Sequence, residues 1–118
     1  MHRLLPSLVA SLLLVSTAYA LETSTDLAKL CNPTGKSREA ADLNVTVCDA
    51  YLQGLLDAHA LINGLFPEAK VFCPPDAGIP NDQARSIFLK WLAKHPEAAR
   101  LPPRATGLKA VADAFPCR

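Results

Sequence analysis

Residues 43–63 read LNVTVCDAYLQGLLDAHALIN, and this stretch decides the fold. Val47, Tyr51, Leu55, Ala58 and Ile62 recur every three or four positions against polar Asp49, Gln53 and Asp57, which is the repeat of an amphipathic helix and not of a strand. At 3.6 residues per turn the helix runs for about six turns. Gly64 stands where a C-cap is expected, and Pro67 cannot continue the helix. Gly54, in mid-helix, costs about 1 kcal/mol against alanine, a cost that close approach of a neighbouring helix would justify or that the helix simply tolerates. The Asp49, Gln53, Asp57 stripe reads as a solvated face.

The same period recurs on either side. Ser24 or Thr25 is expected to cap a short helix carrying Leu27, Leu30 and Cys31, with Asp26 in the first turn, where the helix dipole favours an anion. Asn32-Pro33-Thr34-Gly35 stops it. Residues 66–80 read as a proline-rich loop pinned by Cys73. Asn81 is then expected to cap a third helix with Ala84, Ile87, Phe88, Trp91 and Leu92 on one face. Pro96 ends that helix or starts a short turn through Glu97 to Arg100, and Pro102-Pro103 breaks the chain again. A fourth helix follows, with Ala105, Leu108, Val111, Ala112 and Phe115 inward. The expected class is all-α, a small disulfide-stapled bundle of about four helices. In its core Ile87, Phe88, Trp91 and Leu92 should meet Val47, Tyr51, Leu55 and Phe115.

Met1-His2-Arg3, an apolar stretch over 4–15 and the small-x-small Ala18-Tyr19-Ala20 make residues 1–20 a removable secretory signal, leaving 21–118 as one domain. Removing them takes Arg3 from the 12 Lys and Arg and nothing from the 11 Asp and Glu, so the remaining charge is zero. A neutral chain lacks the electrostatic footprint of a nucleic-acid binder. No later stretch nears the roughly 18 apolar residues of a membrane span, and Leu21 is no lipobox cysteine, so no membrane anchor is expected.

All four cysteines, Cys31, Cys48, Cys73 and Cys117, fall after the signal, and an even count in a small exported domain reads as two disulfides. Zinc fits poorly, because no C-x-x-C pair is present. If the second helix is unbroken, Cys48 and Cys73 lie roughly 25 to 30 Å apart, far beyond the roughly 7 Å that a bridge tolerates. The short loop after the first helix makes the first two helices antiparallel neighbours, which pairs Cys31 with Cys48 and leaves Cys73 for Cys117. Loop-closure entropy gives these bridges about 3 and about 4 kcal/mol.

Catalytic chemistry is hard to find. The serines sit in no nucleophile elbow and the glycines form no phosphate-cradling loop. His59 follows Asp57 by two positions, poor spacing for a facing pair, and borders an apolar face; packing or exposure is its ordinary role. His95, at a helix end, offsets the dipole or caps a carbonyl. No catalytic residue, cofactor or metal site is expected.

Four motifs in order carry a resemblance: Cys48-Asp49-Ala50-Tyr51-Leu52-Gln53-Gly54, Phe72-Cys73-Pro74-Pro75, Trp91-Leu92-Ala93-Lys94-His95-Pro96-Glu97 and Ala114-Phe115-Pro116-Cys117. The series resembles the Rap/Tai family of type VI secretion immunity proteins from Leu27 onward. The resemblance implies a periplasmic, all-helical, disulfide-bonded protein, commonly a homodimer, that is not an enzyme and blocks a peptidoglycan amidase effector. The motifs are scaffold and carry no effector-contacting residue over. Two other classes compete: a periplasmic acid-stress holdase, against which stand the two disulfides and only two histidines after the signal, and a small-ligand carrier with an interhelical cavity. For an occluding protein, the contact loops are 74–81 and 95–104, both stiffened by proline. The second carries Arg100 and Arg104, a residue type suited to interface anchoring, although a solvated connector is the bland alternative.

Overall fold

The computed structural model describes residues 21–118, and the expected signal at 1–20 lies outside them. Among the described residues there are four α-helices and no strand: α1 (Ser24–Cys31), α2 (Arg38–Leu65), α3 (Asn81–Lys94) and α4 (Pro103–Ala114). Two 3₁₀ turns, Pro67–Ala69 and Pro96–Ala98, follow α2 and α3. Helix α1 lies against α2, α2 against α3, and α3 against α4.

The cap of α1 is Thr23, not Ser24 or Thr25. Its hydroxyl accepts the Asp26 N–H at 3.2 Å while the Asp26 carboxylate accepts the Thr23 N–H at 3.0 Å, a reciprocal capping box. The Thr23 bonds hold the Asp26 carboxyl below the usual carboxylate range. Ser24 and Thr25 are taken up elsewhere, as described below. Ser37 caps α2 by accepting the Ala40 N–H, so this helix starts earlier than its periodicity indicates and runs for 28 residues, about 42 Å. Gly64 is inside α2, and Phe66 is the residue that closes it, donating its N–H to the Ile62 carbonyl.

The buried face of α2 is rotated from the expected one. Cys48, Leu52 and His59 are buried, whereas Val47 is 42% exposed. The cause is covalent: Cys48 is bridged to Cys31 of α1, which turns that side of the helix inward. The same rotation brings Asp49 and Gln53, read as solvated, against their neighbours. Arg85 Nη1 of α3 donates to both Asp49 carboxylate oxygens at 2.5 and 2.6 Å, and Gln53 Nε2 donates to the Ile79 carbonyl at 3.0 Å. Only Asp57 stays exposed on that stripe.

The core gathers Leu27, Leu52, Phe72, Ile79, Ala84, Phe88 and Val111 around the buried bridge. Ile87, Leu92, Tyr51 and Phe115 pack on it half-buried, but Trp91 lies outside it. The Trp91 indole N–H donates to Asp113 of α4 at 2.7 Å and its face stacks on His95 at 4.0 Å, so a polar tip keeps this ring at the surface. Asn81 is the first residue of α3, after Pro80, and makes no side-chain cap. On α4, Ala105 is exposed, and Thr106, Gly107, Ala110 and Val111 are buried. Close helix approach falls at Gly107 and not at Gly54: a Cβ on Gly107 would stand 2.9 Å from Leu55 Cδ1, while nothing approaches Gly54.

Cys31 is joined to Cys48 and Cys73 to Cys117, with Cα separations of 5.1 and 5.0 Å. The second bridge ties the segment after α2 to the C-terminus, aided by the Cys73 N–H, which donates to the Phe115 carbonyl at 2.9 Å.

Candidate functional site

The segment between α3 and α4 begins at His95, whose Nδ1–H donates to the Trp91 carbonyl at 2.7 Å, one of the two roles expected for it. After the 3₁₀ turn, Ala98 is buried and the backbone turns toward the start of α1. The first N–H groups of a helix have no partner within it, and here the chain supplies two. Ser24 N–H donates to the Leu101 carbonyl at 2.8 Å and Thr25 N–H to the Ala99 carbonyl at 3.1 Å. Their hydroxyls repeat the pattern, to Leu101 at 2.7 Å and to Ala99 at 3.2 Å.

Beneath them, the buried Ser24 and Thr106 hydroxyls meet at 2.7 Å; with the Ser24 proton given to Leu101, Thr106 donates here, and its oxygen lies 3.2 Å from the Pro103 carbonyl. Segment 99–103 is thus pinned from below by groups more than 70 positions away in sequence. It is not a loose connector. On its outer side Arg100 and Arg104 are exposed, and Leu101 between them is 50% exposed. Arg104 lies close enough to Tyr51 for its charge to act on that phenol, which burial pushes above its ordinary pKa. The arrangement is an apolar centre flanked by two guanidiniums on a fixed backbone. Leu101 is not legible in sequence as part of it, since a single leucine between Arg100 and Pro102 has no period to read.

The other expected loop, 74–81, is exposed except at Ile79, which is buried and held through its carbonyl by Gln53. With the C-terminal half of α2 it walls a cleft of about 410 Å³, lined among others by Asp57, His59, Asn63, Lys70, Phe72 and Asp76. His59 is buried at this cleft and not exposed on a border. Its ring stacks on Phe72 at 3.8 Å, and its Nε2 accepts the Val71 N–H at 3.2 Å. Burial foremost, and the Lys70 charge after it, lower its pKa below the ordinary histidine value. Beside the cleft, Leu61, Ile62, Leu65, Phe66 and Val71 are exposed.

Neither region assembles an acid, a base and a nucleophile, and all four cysteines are spent in bridges. Among the described residues no three His, Cys, Asp or Glu side chains cluster to hold a metal, and no helix is long and apolar enough to cross a membrane. What these two regions offer a partner is shape, the two arginines of the 99–104 stretch and exposed apolar side chains.

No curated protein and no solved structure gives a significant match to this chain. The family model described as Rap1a immunity proteins matches residues 23–117, from the capping threonine of α1 to the last cysteine. The all-helical fold and its two bridges thus come with a family, and the chain belongs to the Rap1a immunity proteins.

Proposed function

We propose that this protein is a periplasmic immunity protein of a type VI secretion system. In this reading it is exported through a signal at residues 1–20 and works from its single domain, 21–118, alone or as the homodimer that the resemblance implies. It has no reaction of its own. It binds a peptidoglycan amidase effector and occludes the cleft where the stem peptide would sit.

Membership of an immunity family supplies the class of partner. The single observation that carries the mode of action is the pinned segment 99–103, held by Ser24 and Thr25. A segment ordered before binding loses little entropy on docking. It holds out Arg100, Leu101 and Arg104: two guanidiniums able to pair with carboxylates or stack on aromatic rings, and one apolar side chain to fill a hollow. Because that backbone is already bonded, the contact forms without refolding.

Calorimetric titration against the purified cognate amidase tests this. Replacing Arg100 and Arg104 together with alanine should weaken binding by about 2 kcal/mol or more, roughly thirtyfold, with the melting temperature unchanged. Unchanged affinity in a folded double variant would dismiss this segment as the contact. Failure of the parent protein to bind or inhibit any such amidase would dismiss the immunity reading itself.

A further inference from the structure

We propose that His59 is an acid-released latch on the segment 66–72. The segment leaves α2 at Phe66, passes through the Pro67–Ala69 turn, and returns to the helix at Val71 and Phe72. Phe72 is buried and stacks face to face on the His59 ring at 3.8 Å. The Val71 N–H donates to His59 Nε2 at 3.2 Å. Since Nε2 accepts, the neutral ring carries its proton on Nδ1. That nitrogen faces the Asn63 side-chain amide at 3.5 Å, and the amide orientation with oxygen toward the ring gives Nδ1–H an acceptor. The Asn63 Oδ1 otherwise stands buried without a donor.

A second proton on the ring can go only to Nε2. The acceptor of the Val71 N–H is then gone, and two N–H groups face each other at contact distance. An imidazolium also cannot be accommodated cheaply where His59 lies. Of the charged groups on the cleft, Lys70 repels it from the 70–79 segment, while Asp57 of α2 and Asp76 of the loop are exposed carboxylates whose attraction water screens. The Phe72 face would welcome a cation, yet burial and Lys70 act the other way and keep the closed ring neutral below the ordinary histidine pKa.

With the segment open, the ring regains its ordinary pKa of about 6.5. Opening is therefore insensitive to pH above that value. It grows as pH falls from there toward the depressed pKa of the closed state, and levels off below it. Release stays local. Cys73, the next residue, is fixed by its bridge to Cys117 and by its N–H bond to Phe115. The surface that changes is the end of α2, where Phe72 joins the exposed Leu61, Ile62, Leu65, Phe66 and Val71. In acid the apolar area of this end increases while the bundle around Phe88 stays closed.

Amide exchange of the full mature chain, corrected for intrinsic rates, measures the latch between about pH 7.5 and about pH 5. Protection at Val71 should fall by about tenfold per pH unit below about pH 6.5, until the closed-state pKa is reached. Amides of α3 should hold theirs. His59→Gln, which cannot titrate, should abolish the pH dependence at Val71. Lys70→Gln, away from the core, should raise the His59 midpoint in an NMR titration of the ring. A His59 midpoint at or above the ordinary histidine value, or Val71 protection that does not change with pH in the parent protein, would overturn the latch.

Discussion

The same tripeptide, Pro-Glu-Ala, appears twice in this chain in the same local role. Pro67–Ala69 follows α2 and Pro96–Ala98 follows α3, each as a 3₁₀ turn. The residues before them, Phe66 and His95, have nearly the same backbone angles, φ −135° and ψ 78° against φ −128° and ψ 64°. Their tertiary settings then diverge. Ala98 is buried and the chain after it is held by four bonds from Ser24 and Thr25, none of which titrates. Ala69 is exposed, and the chain after it is held by one histidine nitrogen, which accepts the Val71 N–H, and by the Phe72 ring, stacked on His59 and packed in the core. Local sequence thus sets the turn, and distant donors decide how firmly it is held.

Predictions follow from breaking each anchor in turn. Phe72→Ala should have the largest effect, because the ring is fully buried and its loss frees both the His59 stack and the core beneath; about 3 to 5 kcal/mol of unfolding free energy should disappear in a denaturant titration. Ser24→Ala attacks the other anchor. It removes the hydroxyl bonds to Leu101 and Thr106 but leaves the Ser24 N–H in place, so about 1 to 3 kcal/mol is expected, with faster amide exchange confined to the neighbourhood of 99–103.

The matched pair Ala98→Val and Ala69→Val, which ends on the smallest effect, sharpens the contrast most. The first forces two methyl groups into a packed site and should cost about 1 to 3 kcal/mol. The second, on an exposed turn, should stay within about 0.5 kcal/mol. Equal effects in thermal melts would mean that the two turns are held alike.

How much of this was legible in the sequence can be followed along α2. Its existence, its polar and apolar alternation and both disulfide pairings follow from residue spacing and helix length. Its phase does not. Val47 and Cys48 sit side by side, and a periodicity that scores both as apolar cannot say which faces inward; the bridge to Cys31 decides it. That rotation accounts for Asp49 and Gln53, which pattern alone leaves in water and tertiary structure pairs with Arg85 and Ile79. Trp91 departs from the periodicity for another reason: its indole N–H donates to Asp113 at the rim, which periodicity does not register.

The candidate site was legible in part. Loop position and residue type single out Arg100 and Arg104, but the feature that fixes them belongs to α1. Ser24 and Thr25 look like caps in sequence because their hydroxyls can bind a helix terminus. In the fold Thr23 takes that task, which frees Ser24 and Thr25 to reach 99–103. No local pattern encodes a bond to a carbonyl that far along the chain. His59 takes the packing role of the two that its place on the helix allows, but its partner Phe72 lies in a loop with no period and cannot be read from pattern.

Reversing both charges on the pinned segment tests the central claim most directly. In a peptidoglycan hydrolysis assay, the parent protein should inhibit the amidase proposed as its partner at about one equivalent, while Arg100→Glu with Arg104→Glu should leave the enzyme active and the inhibitor's melting temperature unaltered. Full inhibition by that folded, charge-reversed variant would contradict the account.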